Sequence, residues 1–220
     1  MTAVLLVPGS WHGAWCWDNV LDRLTAAGVV ARAIDLPSND GASGLADDAA
    51  AVRGALAELG EPAVVVGHSY GGVAISEGAA GAAGLVYLCA FMLDRGEALL
   101  DAMQHQLPDW IDLDEQAGSQ LATRTEEVLY GDCTPAVAAA AGARLTRQSV
   151  AAIATPQSAA AWQDVPSTYV ICDQDRAVPP PVQEAMAARA GTVRHVRASH
   201  SPFLSRPGDV ADVVLQALGR

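Results

Sequence analysis

With 220 residues, 51% of them hydrophobic and 17% charged, the chain has the length and composition of one ordinary globular domain with a sizeable core. Its formal charge of −12 and sequence pI near 4.6 repel polyanions, so neither nucleic acid nor an anionic membrane surface is expected as a partner, and a neutral or cationic small molecule fits better. The apolar run before Pro8-Gly9 is too short for a spanning helix and lacks the positive flank of a signal peptide, while four scattered cysteines, Cys16, Cys89, Cys133 and Cys172, without C-x-x-C spacing read as reduced thiols of a cytoplasmic protein.

In chain order, residues 3–7 form a short apolar run, and residues 29–34 form another that ends at Asp35-Leu36-Pro37, with a helix-compatible stretch between them. This β-α-β rhythm continues through a helix over 45–59, a strand over 63–66, a helix over 72–80 and a strand over 84–90. Strands that are apolar on both faces belong in a covered parallel sheet. From 94 to 163 the alternation lapses: the pattern predicts helices over 97–103, 119–130 and 135–144, and no strand. It resumes with a strand over 168–172, a helix over 180–190, a strand over 192–196 and a closing helix over 208–218. The predicted organisation is an α/β core of residues 1–93 and 164–220, interrupted by a helical insertion, 94–163, that would act as a lid.

Gly67-His68-Ser69-Tyr70-Gly71 matches G-x-S-x-G and sits between a predicted strand and a predicted helix, where a sharp turn would present the Ser69 hydroxyl as a nucleophile. A hydroxyl needs a base. Of the two late histidines, His195 falls inside a strand, whereas His200 falls in the loop beyond it, where an open α/β sheet keeps its site. A carboxylate should orient that histidine, and Asp173 and Asp175, just past the strand over 168–172, are equal candidates on these grounds. The backbone N–H groups of Ser10 and Tyr70 are the expected oxyanion donors. Gly9, Trp11 and His12 of the same early loop, with Met103 and Trp110 of the insertion, are the expected substrate-binding residues; Leu107, Leu121 and Leu129 could add apolar surface. His12 and Cys16 have no third ligand nearby, so no metal is expected, and no cofactor is called for. His68 is expected to be structural, His105 and the acidic group Asp109, Asp112, Asp114 and Glu115 to be solvated.

Three segments carry a family resemblance: residues 7–17 with H-G-A-W-x-W, residues 67–72, and residues 170–207 with D-Q-D and H-S-P-F-L-S-R-P. In these the chain resembles the small α/β-hydrolases that include plant methylesterases, hydroxynitrile lyases and related bacterial esterases, over nearly its whole length but more weakly in the insertion. The resemblance implies the α/β-hydrolase fold, a mostly parallel sheet flanked by helices with a small helical cap, and Asp175, the second aspartate of the pair, as the triad acid. The lyases place Thr at the position of Gly9 and Lys at that of Ser201, so both departures imply ester hydrolysis. The implied activity is that of a serine carboxylester hydrolase on a small, largely apolar ester, with a homodimer as the expected assembly. The alternatives are a hydroxynitrile-lyase-like or other non-hydrolytic enzyme on the same triad, or a small-molecule binding protein with vestigial activity.

Overall fold

The computed structural model describes residues 2–220. Its first part keeps the expected alternation: β1 (Ala3–Val7), α1 (Asp18–Ala26), β2 (Ala31–Ala33), α2 (Leu45–Leu59), β3 (Ala63–His68), α3 (Gly71–Gly78) and β4 (Gly84–Leu88). There follow α4 (Leu99–Ala102), β5 (Ile111–Asp114), β6 (Ser119–Ala122), α5 (Thr125–Val128), α6 (Pro135–Gly142), β7 (Gln148–Ser149) and α7 (Val150–Ala154). The chain then closes with β8 (Ser167–Cys172), α8 (Pro180–Ala187), β9 (Thr192–Val196), α9 (Pro202–Ser205) and α10 (Pro207–Ala217).

Six strands pair in parallel in the order β2-β1-β3-β4-β8-β9. Because successive side chains leave a strand on opposite faces, Val4, Leu6, Val64 and Val66 enter one apolar layer with Leu24 of α1 and Val214 of α10. Leu5, Val7, Val65 and Tyr87 enter the other layer, with Val52 of α2 and Ile75 of α3. The central strands β1, β3 and β4 are buried on both faces, which is why they read as largely apolar runs, whereas the edge strands β2 and β9 carry exposed Arg32, Arg194 and His195. β1 has β2 on one side and β3 on the other, so the chain reverses its direction of travel across the sheet there, and a crevice opens beyond the carboxyl ends of β1 and β3.

The segment between β4 and β8 departs from expectation. It was predicted to be helical, but β5, β6 and β7 form an antiparallel three-stranded sheet, and the helix expected over 119–130 is instead β6 followed by the single turn of α5. Gly118, at φ 61, closes the hairpin by taking a left-handed conformation that glycine adopts without steric cost. No helix of the described residues is long and apolar enough to cross a membrane.

Candidate active site

β3 runs directly into Ser69, and α3 starts two residues later. Ser69 has φ 51, a left-handed conformation that costs a non-glycine residue about 1–3 kcal/mol and persists only where its surroundings enforce it. Here the Ser69 carbonyl accepts from Gly72 N (3.0 Å) and Phe91 N (3.1 Å), and its N–H donates to Leu88 O (3.3 Å). The turn is crowded as well as strained. A Cβ on Gly67 would lie 2.7 Å from Gly71 O, and one on Gly71 would lie 2.5 Å from Pro8 O, so the two glycines of the motif are required by space.

His200 Nδ1 lies 2.7 Å from Asp175 Oδ2, with both side chains almost wholly buried. Because a carboxylate accepts, Nδ1 carries the proton and Nε2 keeps a free lone pair. Asp175 is itself held firmly. Its Oδ1 accepts from Ala177 N (2.8 Å) and Val178 N (2.9 Å), and its Oδ2 also accepts from Gln183 Nε2 (3.0 Å). Asp173 instead meets His195 Nδ1 at 2.8 Å on the exposed side of β9, so of the two aspartates it is Asp175 that contacts His200. Ser69 and His200 line the same cavity; no hydrogen bond joins them, and such contacts commonly tighten only when substrate binds.

The loop after β1 is fixed from two directions. Asn39 accepts from Trp11 N (2.9 Å) and donates to Gly9 O (3.2 Å) and His12 O (2.7 Å). His12 donates from Nδ1 to Ser10 O (2.9 Å), which leaves Nε2 to accept from the Tyr130 hydroxyl (2.9 Å) of the insertion. Among the described residues neither the Ser10 nor the Tyr70 amide has an acceptor. Gly9 approaches the nucleophile so closely that a Cβ there would sit 2.8 Å from Ser69 Cβ. Tyr70, next to the nucleophile, is anchored through its hydroxyl to Asp48 Oδ2 at 2.6 Å; Asp48 also accepts from Ser38 N, and Ser38 Oγ accepts from Gln148 Nε2 of β7. Burial raises the Asp48 carboxyl, outweighing the opposing hydrogen bonds from Tyr70 and Ser38, and burial, then the Asp48 charge, raises the Tyr70 phenol well above its ordinary value.

Two further histidines flank the site without facing the cavity. Burial lowers His12 to about 4, and it lowers His68 well below the ordinary range, with the neighbouring His200 adding to the effect. His68 donates from Nε2 to His200 O (2.8 Å) and so supports the loop that carries the base. Both therefore stay neutral near pH 7. His68, Cys89 and His200 bring possible metal-ligand atoms within 4.8 Å of one another, but burial pushes the Cys89 thiol well up, which opposes the thiolate that a metal requires.

The cavity encloses about 250 Å³ between the strand-end loops and the insertion. Phe91, Leu99, Ile111, Ile153, Val178 and Val182 make most of its wall apolar. Of the residues expected at substrate, Trp11, Met103 and Trp110 line it, together with Ser10. Gly9 and His12 do not line it: Gly9 is pressed against Ser69, and the His12 ring is used to join the oxyanion loop to Tyr130. Leu107, Leu121 and Leu129 also lie off its wall, in the apolar packing of the core and the insertion. Sequence reasoning missed Asn39, Asp48, Tyr130 and Gln183, whose parts depend on partners distant in the chain and leave no local signal.

Comparison with known proteins agrees with this geometry. Residues 4–213 match the model of the alpha/beta hydrolase family. The alpha/beta hydrolase nvfD of Aspergillus novofumigatus is 32% identical, over 99% of this chain and 96% of the relative. Among solved structures, a pyrethroid hydrolase from Sphingobium faniae superposes with a TM-score of 0.81 at 23% identity, covering 98% of this chain and 96% of the other. The methylesterase MES16 from Arabidopsis gives 0.79 at 20% identity, covering 100% and 99%. A strained serine at a strand-to-helix turn, a histidine from a later strand-end loop and a match over almost the full chain lead to one conclusion: this hydrolase belongs to the alpha/beta hydrolase family.

Proposed function

We propose that the protein hydrolyses a small, largely apolar carboxylic ester through Ser69, His200 and Asp175 by way of an acyl-enzyme. The observation that carries this reading is that Ser69, held at φ 51, and His200, tied to buried Asp175 at 2.7 Å, line one mainly apolar cavity. His200 Nε2 takes the Ser69 proton as Oγ bonds to the ester carbon. The oxyanion that forms is held by the Ser10 and Tyr70 amides, each such donor being worth about 2.7–4 kcal/mol. The tetrahedral species then expels the alcohol, to which His200 returns the proton. Water repeats the sequence on the acyl-enzyme, releasing the acid and restoring Ser69. In this reading residues 94–163 serve as a cap on a core of residues 1–93 and 164–220, supported by the cavity's having walls from both.

The test is hydrolysis of p-nitrophenyl acetate and butyrate by the wild type and by Ser69→Ala, with folding checked by circular dichroism. Turnover by the wild type and a loss of roughly three orders of magnitude or more in the folded variant are expected. Turnover that survives in Ser69→Ala would remove the nucleophile from the scheme, and a wild type inert to both esters would remove the general esterase.

A further inference from the structure

Gln120 lies on β6, paired with Leu113 of β5 and Gln148 of β7, and its side chain forms part of the cavity wall that also carries Ser69 and His200. It is 2% exposed. Its backbone carbonyl accepts from Trp11 Nε1 (3.3 Å), which fixes the strand against the oxyanion loop, yet the carboxamide has no hydrogen-bond partner among the described residues and its Oε1 is fully enclosed. A buried amide with nothing to bond destabilises a folded chain, so a residue serving only to fill space here would be better as leucine or methionine. The neighbouring wall shows that such residues are accommodated: Ile111 and Ile153 line the same cavity.

We infer that Gln120 is a specificity-determining residue whose carboxamide hydrogen-bonds a carbonyl-type oxygen on the part of the substrate that lies under the insertion. The substrate class is thereby narrowed from plain hydrocarbon esters to esters carrying a second oxygen acceptor, such as a keto group or another ester. This assignment rests on the proposed esterase reading for its word substrate, but the contact itself is a binding property. An apolar pocket discriminates weakly between molecules differing by a methylene, whereas a site built to bond a polar group rejects the analogue without it, because the protein's own polar atom is then left unpaired. With Oε1 enclosed, the NH₂ is the end of the carboxamide left to meet a ligand, and its donors call for an acceptor oxygen there.

The test is binding, independent of turnover. Acetophenone and ethylbenzene have nearly the same shape and differ in one carbonyl oxygen. Their dissociation constants are measured by NMR titration of the isotope-labelled full chain and of Gln120→Met, the Gln120 side-chain NH₂ pair being assigned in the wild type by through-bond correlation to the backbone amide of the same residue. The ratio of the two constants is expected to shift against the ketone by about fivefold to tenfold in Gln120→Met, as loss of one neutral hydrogen bond requires. The Gln120 NH₂ resonances should move on addition of the ketone, and the variant should unfold at the same or a higher urea concentration than the wild type. An unchanged ratio overturns the inference, and so does a Gln120 NH₂ pair that stays still as acetophenone is added to its solubility limit. The second readout needs only the wild type and holds even if the variant fails to fold. Failure of p-nitrophenyl ester hydrolysis alongside a ketone preference that depends on Gln120 would count against the esterase reading alone.

Discussion

Asp173 and Asp175 stand two positions apart and have opposite environments. Asp175 receives four hydrogen bonds in a buried pocket, whereas Asp173 pairs with His195 where both are about half exposed. Asp175→Asn would place an amide opposite His200 Nδ1 and favour the tautomer with its proton on Nε2, so kcat for p-nitrophenyl butyrate is expected to fall about 10³- to 10⁴-fold. Asp173→Asn should change it less than twofold. Equal losses in the two variants would contradict the assignment. The placement of Ser69 and His200 was legible in the sequence because each has a local signature: a glycine-flanked turn for Ser69 and a loop after a strand for His200. Between the two aspartates the residues alone did not decide, since both follow the same strand, and the family resemblance pointed to Asp175. Gln183 orients that carboxylate from α8 and was not legible at all, because a glutamine near the start of a helix is ordinarily a solvated residue.

The elements differ in how openly the sequence displays them. Buried parallel strands announce themselves as apolar runs cut off by Pro or Gly, and α10, expected over 208–218, forms as Pro207–Ala217. The strands of the insertion give no such signal. Ile-Asp-Leu-Asp and Ser-Gln-Leu-Ala are short, only one of their residues is β-branched, and β7 is two residues long, so these strands are specified by pairing with one another and not by propensity. The elbow between β3 and α3 makes an opposite demand, for the absence of side chains. Gly67→Ala would bring a methyl group within 2.7 Å of Gly71 O and 2.8 Å of Ile75 Cδ1, and is expected to cost about 2 kcal/mol or more. Gly54→Ala, in the interior of α2 with open space around it, should add about 0.5–1 kcal/mol. Urea unfolding of the two variants beside the wild type measures both; a Gly67→Ala chain as stable as the wild type would contradict the crowding at the elbow, and a destabilised Gly54→Ala chain would contradict the open helix face.

At the scale of the whole molecule, buried neutral histidines tie stability to pH. His12 titrates near 4 when folded and near its ordinary value of 6.5 when unfolded, so the unfolded chain binds more protons in that interval. Its contribution is fully present above pH ~6.5 and is lost as pH falls toward 4, amounting to about 3 kcal/mol by linkage. His68 acts in the same direction. Asp48, raised by burial, acts in the opposite one: its contribution is present at low pH and is lost as pH rises through its folded value. Two histidines against one carboxyl should leave a net fall in urea midpoint from pH 7.5 to pH 4.5, and a flat or rising midpoint would count against histidine burial as drawn.

The strand order β2-β1-β3-β4-β8-β9 also sets how far along the chain the site is divided. Ser69 and the loop after β1 belong to the first third of the chain, but His200 follows β9, the edge strand, which is joined to the rest of the sheet only through β8. Contacts between residues so far apart form late and slowly. A cut in the chain ahead of β9 would separate the segment that holds His200 from the one that holds Ser69 while leaving Ser69 itself untouched. The two halves of the site are thus held together through the sheet, with no short stretch of chain joining them.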